Sequence, residues 1–193
     1  MRKLIACNII SLDGFFSGPD GNVMVMPFDH GFSDYNAERL RAADTLLLGR
    51  NSYEGFRAYW PAIADDPEQP PVEREISRLN TGIEKVVVSD SLKPDAAEGW
   101  GKTHVIRRAD AHAKIAALKN KPGRDILIFG SHVLWNDLLV HGLVDELHLM
   151  IGAGIVGEGV RAFERKPPGS LSLIGTRTFD GSNLLLTKYA YKQ

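Results

Sequence analysis

Glycine, serine and arginine residues follow several strand-like segments, in turns whose chemistry suits the binding of phosphate. Gly49-Arg50-Asn51-Ser52 joins a short apolar segment to a helical pattern. Ser89, Arg107-Arg108 and Gly130-Ser131 follow three later apolar segments. Backbone N–H groups at the start of a helix bind anions, and guanidinium groups bind phosphate through paired hydrogen bonds. A single turn of this kind also occurs as a plain helix cap beside a solvated arginine, so the interpretation depends on all four together.

An alternation of strands and helices must position these turns. Strands are predicted at 3–10, 45–48, 85–88, 103–106, 125–129 and 144–151. Helices are predicted at 35–43 with a cap at Ser33-Asp34, from the Gly49 turn to about Tyr59, at 109–119 and at 131–141. Pro61 is expected to end the second helix, and residues 61–75 are expected to form a surface excursion followed by one or two helical turns at 75–79.

The end of the chain has a different pattern. Residues 171–179 and 183–191 alternate between apolar and polar side chains and are joined across Asp180-Gly181-Ser182, which predicts a β-hairpin. The chain as a whole is therefore predicted to be one α/β domain over residues 1–193, with a mostly parallel sheet, helices on both faces and an antiparallel hairpin at one edge. Ligands bind such sheets at the carboxyl ends of the strands.

Composition excludes several classes of partner. The formal net charge is -1, and lysine and arginine are scattered along the chain, so we expect no nucleic acid partner. No apolar segment approaches the roughly 18 residues of a membrane helix, and we expect no membrane partner. Cys7 is the only cysteine and lies within a predicted strand, which indicates a buried thiol and a reducing cytoplasm.

Four other motifs that could indicate a function are either incomplete or missing. Residues 152–157 read G-x-G-x-x-G, but the helix and the acidic residue that a dinucleotide fingerprint requires do not follow. Gly101-Lys102-Thr103 resembles the end of a phosphate-binding loop, yet Ala96 stands where that loop has glycine. The histidines lack the spacing of a helical zinc site, so no metal is expected, and a G-x-S-x-G elbow is missing from the sequence.

The sequence resembles the dihydrofolate reductase superfamily over nearly its whole length. It is most similar to stand-alone proteins related to the C-terminal reductase domain of the riboflavin-biosynthesis deaminase-reductase. The segments that carry the resemblance are 10–15, 46–54 with 59–61, 85–89, 128–131 and 142–147.

The resemblance implies an eight-stranded mixed sheet, a homodimer and NADPH bound across the strand ends. It implies that Gly49, Arg50, Asn51 and Ser52 bind cofactor phosphates and that Ser89 and Arg107 bind the ribose phosphate. The pyrophosphate would lie against the turn after the fifth strand. The cofactor-binding residues implied at this turn and beside it are Ile10, Phe129, Gly130, Ser131, His132, Val133 and Leu134. The reaction implied is hydride transfer to the C=N or carbonyl group of a pteridine-like or pyrimidine-like heterocycle.

Such a reaction needs a proton donor and a surface for a planar ring. Riboflavin enzymes have Glu before the glycine pair where this chain has Phe129, whereas dihydrofolate reductases have a carboxylate on the first helix after a Met-Pro-aromatic segment. Asp34 is therefore the first candidate donor and Asp13 the second. The candidate substrate wall is aromatic and consists of Phe15, Phe28, Phe56, Tyr59 and Trp60. The alternative is a non-catalytic NADP(H)-binding or dimeric scaffold on the same fold.

Overall fold

The computed structural model describes residues 1–93 and 100–192. Within these residues the strands are β1 (Leu4–Ile10), β2 (Phe15–Ser17), β3 (Ala43–Gly49), β4 (Glu84–Val88), β5 (Thr103–Ile106), β6 (Asp125–Phe129), β7 (Glu146–Ile151), β8 (Val160–Arg161), β9 (Ser170–Thr178) and β10 (Leu185–Lys192). The α-helices are α1 (His30–Ala42), α2 (Arg50–Ile63), α3 (Pro71–Gly82), α4 (Ala111–Lys119) and α5 (His132–Val140).

One sheet of eight strands forms the centre, in the order β5-β4-β3-β6-β1-β7-β10-β9. The first six strands of this order are parallel, and β10 pairs antiparallel with both β7 and β9. The predicted α/β class, the largely parallel sheet and the C-terminal hairpin are confirmed. A second sheet of two strands pairs β2 with β8, which the sequence analysis does not predict.

Alternate residues of the central strands face two separate apolar clusters. Ile5, Cys7 and Ile9 of β1 pack on the side of α1, α2 and α3, whereas Leu4 and Ala6 pack on the side of α4 and α5. Strands buried on both faces are typical of parallel sheets covered by helices. The predicted burial of Cys7 is confirmed, and this burial raises the pKa of its thiol to about 12.

Helix α1 begins earlier than the sequence pattern predicts. Its N-cap is Asp29, whose carboxylate accepts a hydrogen bond from the amide of Gly31 at 2.9 Å. The predicted cap at Ser33-Asp34 is wrong, because both residues lie inside the helix. Gly31 makes this first turn look like a loop in the sequence, but it lies against Phe179 and Ser182, where a Cβ would come within 3.1 Å of their atoms.

Two predictions between α2 and β4 are also wrong. Pro61 does not end α2, which continues to Ile63. A proline in the last turn removes one N–H donor and leaves the earlier hydrogen bonds of the helix intact. The predicted excursion over residues 61–75 is shorter, because α3 begins at Pro71, and proline is favoured in the first turn of a helix.

None of the helices in the described part of the chain is both long and apolar enough to cross a membrane.

Candidate functional site

Five turns follow the carboxyl ends of neighbouring parallel strands along one edge of the central sheet. Val88 of β4 is in register with Gly49 of β3 on one side and with Ile106 of β5 on the other. Beyond β3 lie β6, which ends at Phe129, and β1, which ends at Ile10. At about 4.8 Å between strands, the edge from β5 to β1 spans roughly 19 Å. The turns after Gly49, Val88, Ile106 and Phe129 therefore share one rim, as the sequence analysis expects.

Two of these turns are joined directly. The amide of Gly49 donates a 3.0 Å hydrogen bond to the hydroxyl of Ser131, and the amide of Ser131 donates a 2.8 Å hydrogen bond to the hydroxyl of Ser52. These reciprocal bonds hold the start of α2 beside the start of α5. We call the segments 49–52 and 130–132 the phosphate cradle.

The helix starts in the phosphate cradle have backbone groups available for an anion. Gly49 is the N-cap of α2 and Ser131 that of α5, and in neither case does a side chain of the described residues cap the first turn. The first N–H groups of a helix have no partner within the helix, and the helix dipole favours negative charge there. Two such starts side by side suit a ligand with two linked phosphates.

The backbone of the cradle is strained at one residue. Gly130 has φ 58°, and Ser131 follows it with φ 48° and ψ 46°. Glycine adopts this left-handed conformation at little cost, but serine does so rarely, and such outliers concentrate at functional sites. A Cβ on Gly130 would lie 3.2 Å from the Ser52 hydroxyl, so the close approach of the two turns also favours glycine here.

The turn after β4 lies beside the end of β5, which Arg107 follows. Ser89 is buried, and its hydroxyl accepts hydrogen bonds from the amides of Ser91 at 3.2 Å and Leu92 at 2.9 Å, which leaves its own proton to donate. Arg107 is exposed, and no carboxylate of the described residues pairs with it. Arg108 differs, because its guanidinium lies 3.9 Å from the carboxylate of Asp90. Ser89 and Arg107 thus occupy adjacent strand ends, whereas Arg108 already has an anionic partner.

Arg50 points toward this turn instead of lying over the phosphate cradle. Its guanidinium donates a hydrogen bond of 2.8 Å to the hydroxyl of Ser91 and lies 3.1 Å from the Glu54 carboxylate. The structure therefore places Arg50 on the β4 side, near Ser89. Asn51, the next residue, is exposed in the first turn of α2.

The other predicted cofactor residues lie at different depths around the rim. Ile10 and Phe129 are mostly buried at the ends of their strands. His132 turns toward β8, where its Nε2 lies 2.7 Å from the carbonyl of Arg161. Val133 is 65% exposed, and Leu134 belongs to the core under α5. Of the three helical residues, the structure thus leaves the Val133 side chain accessible and turns Leu134 away from the rim.

Asp13 acts as an anchor for the loop after β7. Its carboxylate accepts hydrogen bonds from the Ser11 hydroxyl at 2.6 Å and from the amides of Val156 at 3.1 Å and Gly157 at 2.8 Å. The bond from Ser11, together with those from the two amides, lowers the pKa of Asp13 to about 2. A group this acidic stays ionised at neutral pH and is poorly suited to donate a proton.

Asp34, the other predicted donor, is exposed on α1. It lies within two turns of Phe28, which precedes the helix, and next to Ser33, whose hydroxyl bonds to Glu73 of α3. Its carboxylate is thus at the same end of α1 as Phe28, one of the candidate substrate residues, but it is exposed to solvent.

The predicted aromatic wall separates into groups. Phe56, Tyr59 and Trp60 contact one another on α2, with ring centroids 6.3 Å apart for Phe56 and Trp60 and 5.0 Å apart for Tyr59 and Trp60. Phe28 packs against Phe32 at the start of α1. Phe15 is buried on β2, beneath the guanidinium of Arg161 at 4.2 Å. The five side chains therefore do not form one continuous wall.

The glycine-rich segment 152–157 serves packing. A Cβ on Gly152 would lie 2.2 Å from Pro27, and one on Gly154 would lie 3.2 Å from it. The next element is the short strand β8, and no helix follows the segment directly. Gly101 is likewise a close-packed turn, where a Cβ would meet the Thr81 carbonyl at 2.3 Å; Ala96 lies outside the described residues.

Folding also brings together a cluster that is not predicted from the sequence. His112 of α4 lies beside Asp137 and His141 at the end of α5. The four-residue spacing of Asp137 and His141 was a usable signal, because such residues share a helix face. His112 belongs to another helix, so spacing along the chain does not reveal it.

The model of the RibD C-terminal domain family matches residues 2–185. This chain belongs to the RibD C-terminal domain family. The Bacillus subtilis (strain 168) protein YyaP is 31% identical over 181 residues, which cover 92% of this chain and 89% of YyaP.

Solved structures of low sequence identity share the fold of this RibD C-terminal domain protein. A pyrimidine reductase-like protein from Corynebacterium diphtheriae is 16% identical with a TM-score of 0.63, and the match covers 100% of this chain and 92% of that one. Dihydrofolate reductase from Enterococcus faecalis, solved with NADP(H), is also 16% identical with a TM-score of 0.63, over 99% of this chain and 97% of that one. The predicted dihydrofolate reductase-like fold is thus confirmed.

Proposed function

We propose that this protein is an NADPH-dependent reductase of a small planar heterocycle, acting on a C=N or carbonyl group. The observation that carries the proposal is the pair of helix starts at Gly49 and Ser131, which lie side by side with their first turns uncapped by described side chains. Membership of the RibD C-terminal domain family and the shared fold of the NADP(H)-bound dihydrofolate reductase support it.

The residues along the rim fit NADPH. The phosphate cradle would hold the pyrophosphate through backbone N–H groups, and its close approach needs the glycine at position 130. Ser89, Arg107 and Arg50 would hold the 2′-phosphate at the β4 and β5 ends, where guanidinium groups offer several hydrogen bonds to one phosphate. The nicotinamide end would then lie toward the end of β1, beside Ile10.

Bound NADPH would supply a hydride. This chain would supply the rim that orients the cofactor and an apolar surface for the substrate ring. It would also supply a proton to the substrate nitrogen or oxygen, which becomes negatively charged when the hydride is added to carbon. Asp34 is the candidate proton donor, since the carboxylate of Asp13 is already occupied by the Ser11 hydroxyl and two backbone amides.

A fluorescence titration with NADPH tests the cofactor assignment. Arg107→Ala should weaken NADPH binding by about tenfold or more and leave NADH nearly unchanged, because only NADPH has the 2′-phosphate. Arg108→Ala is the matched control, because Arg108 is the neighbouring arginine and its guanidinium lies 3.9 Å from the Asp90 carboxylate. Equal losses for NADPH and NADH would contradict the 2′-phosphate assignment, and no saturable binding would contradict the reductase proposal.

Turnover is tested with pteridine, flavin-precursor and quinone panels. Asp34→Asn should lower kcat and leave NADPH affinity unchanged if Asp34 donates the proton. The second candidate function is a non-catalytic NADP(H)-binding scaffold. Two observations favour it: the carboxylate of Asp13 already accepts hydrogen bonds from within the protein, and Asp34 is exposed. NADPH binding without oxidation across all panels would support the scaffold.

We also propose that the protein is a cytoplasmic homodimer, and the exposed edge strand β9 supports the dimer. This strand has nine residues, and Leu173 and Ile174 are 59% and 49% exposed. Successive residues of a strand point to opposite faces, so apolar surface is accessible on both sides of this edge. Long apolar edge strands readily pair with another chain.

A further inference from the structure

A cluster of two imidazoles and one carboxylate lies on the surface between α4 and α5. The Nε2 atom of His112 is 2.6 Å from Oδ2 of Asp137, and the Nδ1 atom of His141 is 3.3 Å from Oδ1 of the same carboxylate. The two imidazole rings lie with their centroids 4.0 Å apart. One nitrogen or oxygen from each residue falls within 4.8 Å of the other two.

This donor set selects a class of metal. Imidazole nitrogen with one carboxylate suits zinc and neighbouring transition metals, whereas calcium and magnesium prefer oxygen ligands throughout. Zinc binds histidine nitrogen and carboxylate oxygen at about 2.0 to 2.2 Å, so tetrahedral ligand atoms lie roughly 3.4 Å apart. Nε2 of His112 and Oδ2 of Asp137, 2.6 Å apart, would therefore have to separate by about 0.8 Å, and the other ligand atoms, all within 4.8 Å of one another, would have to adjust by about 1.4 Å at most. A fourth position remains for water.

The cluster is held in place before any metal binds. Asp137 and His141 lie four residues apart, so their side chains share one face of the helix. When Nδ1 of His141 carries the proton it donates to the Asp137 carbonyl at 2.8 Å, and Nε2 is then the nitrogen available to a metal. His112 comes from the first turn of α4, whose buried Ala111 and Ile115 pack in the core. For Nε2 of His112 to bind a metal, the neutral imidazole would carry its proton on Nδ1, and the metal would take the place of the hydrogen bond between Nε2 and the Asp137 carboxylate.

We propose that His112, Asp137 and His141 form a zinc-class metal site that links α4 to α5. His141 lies ten residues after Ser131 along the axis of α5, or about 15 Å at 1.5 Å per residue. The site is therefore separate from the phosphate cradle and does not depend on the reductase assignment. It supplies a structural cross-link between two helices on the same face of the sheet.

Competition between the chelator-treated full chain and a chromogenic zinc chelator tests the site. The native chain should take up one Zn²⁺ more tightly than any variant of the cluster. His112→Gln, His141→Gln and Asp137→Asn should each weaken binding by about tenfold or more, in line with the loss of a ligand. His104→Gln is the control, because His104 is an exposed histidine beside Glu84 and lies outside the cluster.

The visible spectrum with Co²⁺ gives a second measurement. Strong d–d absorption, reduced in the cluster variants and retained in His104→Gln, would support a site with fewer than six ligands. Zinc uptake that is no tighter in the native chain than in a His112→Gln, His141→Gln double variant would overturn the proposal. An equal loss in His104→Gln would overturn it as well, because it would show binding by scattered surface histidines. Far-UV circular dichroism of each variant identifies any loss of fold.

Discussion

The amide of Gly49 and the hydroxyl of Ser131 are 82 residues apart in the chain and 3.0 Å apart in the structure. This bond joins the first turn of α2 to the first turn of α5 across the ends of β3 and β6. Because Ser131 holds a left-handed backbone conformation, the hydroxyl is delivered to Gly49 at a cost in local strain. A strained serine connects two helix starts that no described side chain caps, and this arrangement supports the proposed phosphate site.

Removing the Ser131 hydroxyl should weaken NADPH binding. Ser131→Ala keeps the unfavourable φ and loses the bond, whereas Ser131→Gly loses the bond and relieves the backbone. We expect both variants to bind NADPH about fivefold more weakly in a fluorescence titration, since one hydrogen bond contributes about 1 kcal/mol. Ser172→Ala, at an exposed position of β9, is the control. Unchanged affinity in both Ser131 variants would show that the bond does not position the cradle.

The sequence contained enough information to predict the edge on which the candidate site lies, because parallel strands bring their carboxyl ends to one side of a sheet. It did not contain enough to predict how the side chains there are used. Asp13 was a candidate donor on its chemistry, but the amides that hold its carboxylate belong to Val156 and Gly157, more than 140 residues away. The start of α1 was missed for a local reason, since Gly31 within the first turn obscured the cap at Asp29.

The Asp13 carboxylate should stabilise the loop after β7 at neutral pH. Its folded pKa of about 2 is below the ordinary value of 3.8, so its contribution is fully present above pH 3.8 and is lost as the pH falls toward 2. Asp13→Asn should therefore lower the Tm at pH 7, and the difference from the native chain should shrink between pH 4 and pH 2. Faster amide exchange at Val156 and Gly157 should accompany the change.

Glu158→Gln is the matched control, because Glu158 is exposed in the same loop. This variant should leave both the Tm and the amide exchange at Val156 and Gly157 unchanged. A Tm difference between Asp13→Asn and the native chain that stays constant down to pH 2 would contradict the role of the carboxylate.

Leu173 and Ile174 should control dimer formation if β9 is the interface. A Leu173→Glu, Ile174→Lys double variant puts charge on both faces of the edge strand, and charged residues on an edge strand prevent pairing with another chain. Sedimentation should show a dimer for the native chain and a monomer for the variant. Leu12→Glu is the control, since Leu12 is 62% exposed on the loop after β1. A dimer that survives the double variant would place the interface elsewhere.

Lys85 should make the free energy of unfolding rise with pH in the alkaline range. Its ammonium group is buried beside Trp100, 4.3 Å from the ring centroid, and donates hydrogen bonds to the carbonyls of Thr81 and Ile83. Burial lowers its pKa from 10.5 to about 8. Between these values the unfolded chain binds more protons than the folded chain, so stability must increase with pH, by at most about 1.4 kcal/mol per pH unit.

Urea unfolding of the native chain and Lys85→Met from pH 7 to pH 11 measures this contribution. The free energy of unfolding of the native chain, relative to that of Lys85→Met, should increase from about pH 8 and level off near pH 10.5. Lys85 is protonated in both the folded and the unfolded chain below this range and neutral in both above it. Lys114→Met, at an exposed lysine paired with Asp110, should parallel the native chain throughout. If Lys85→Met also runs parallel to the native chain, then the ammonium group is solvated in the folded state, and its neighbour Trp100 does not enclose it.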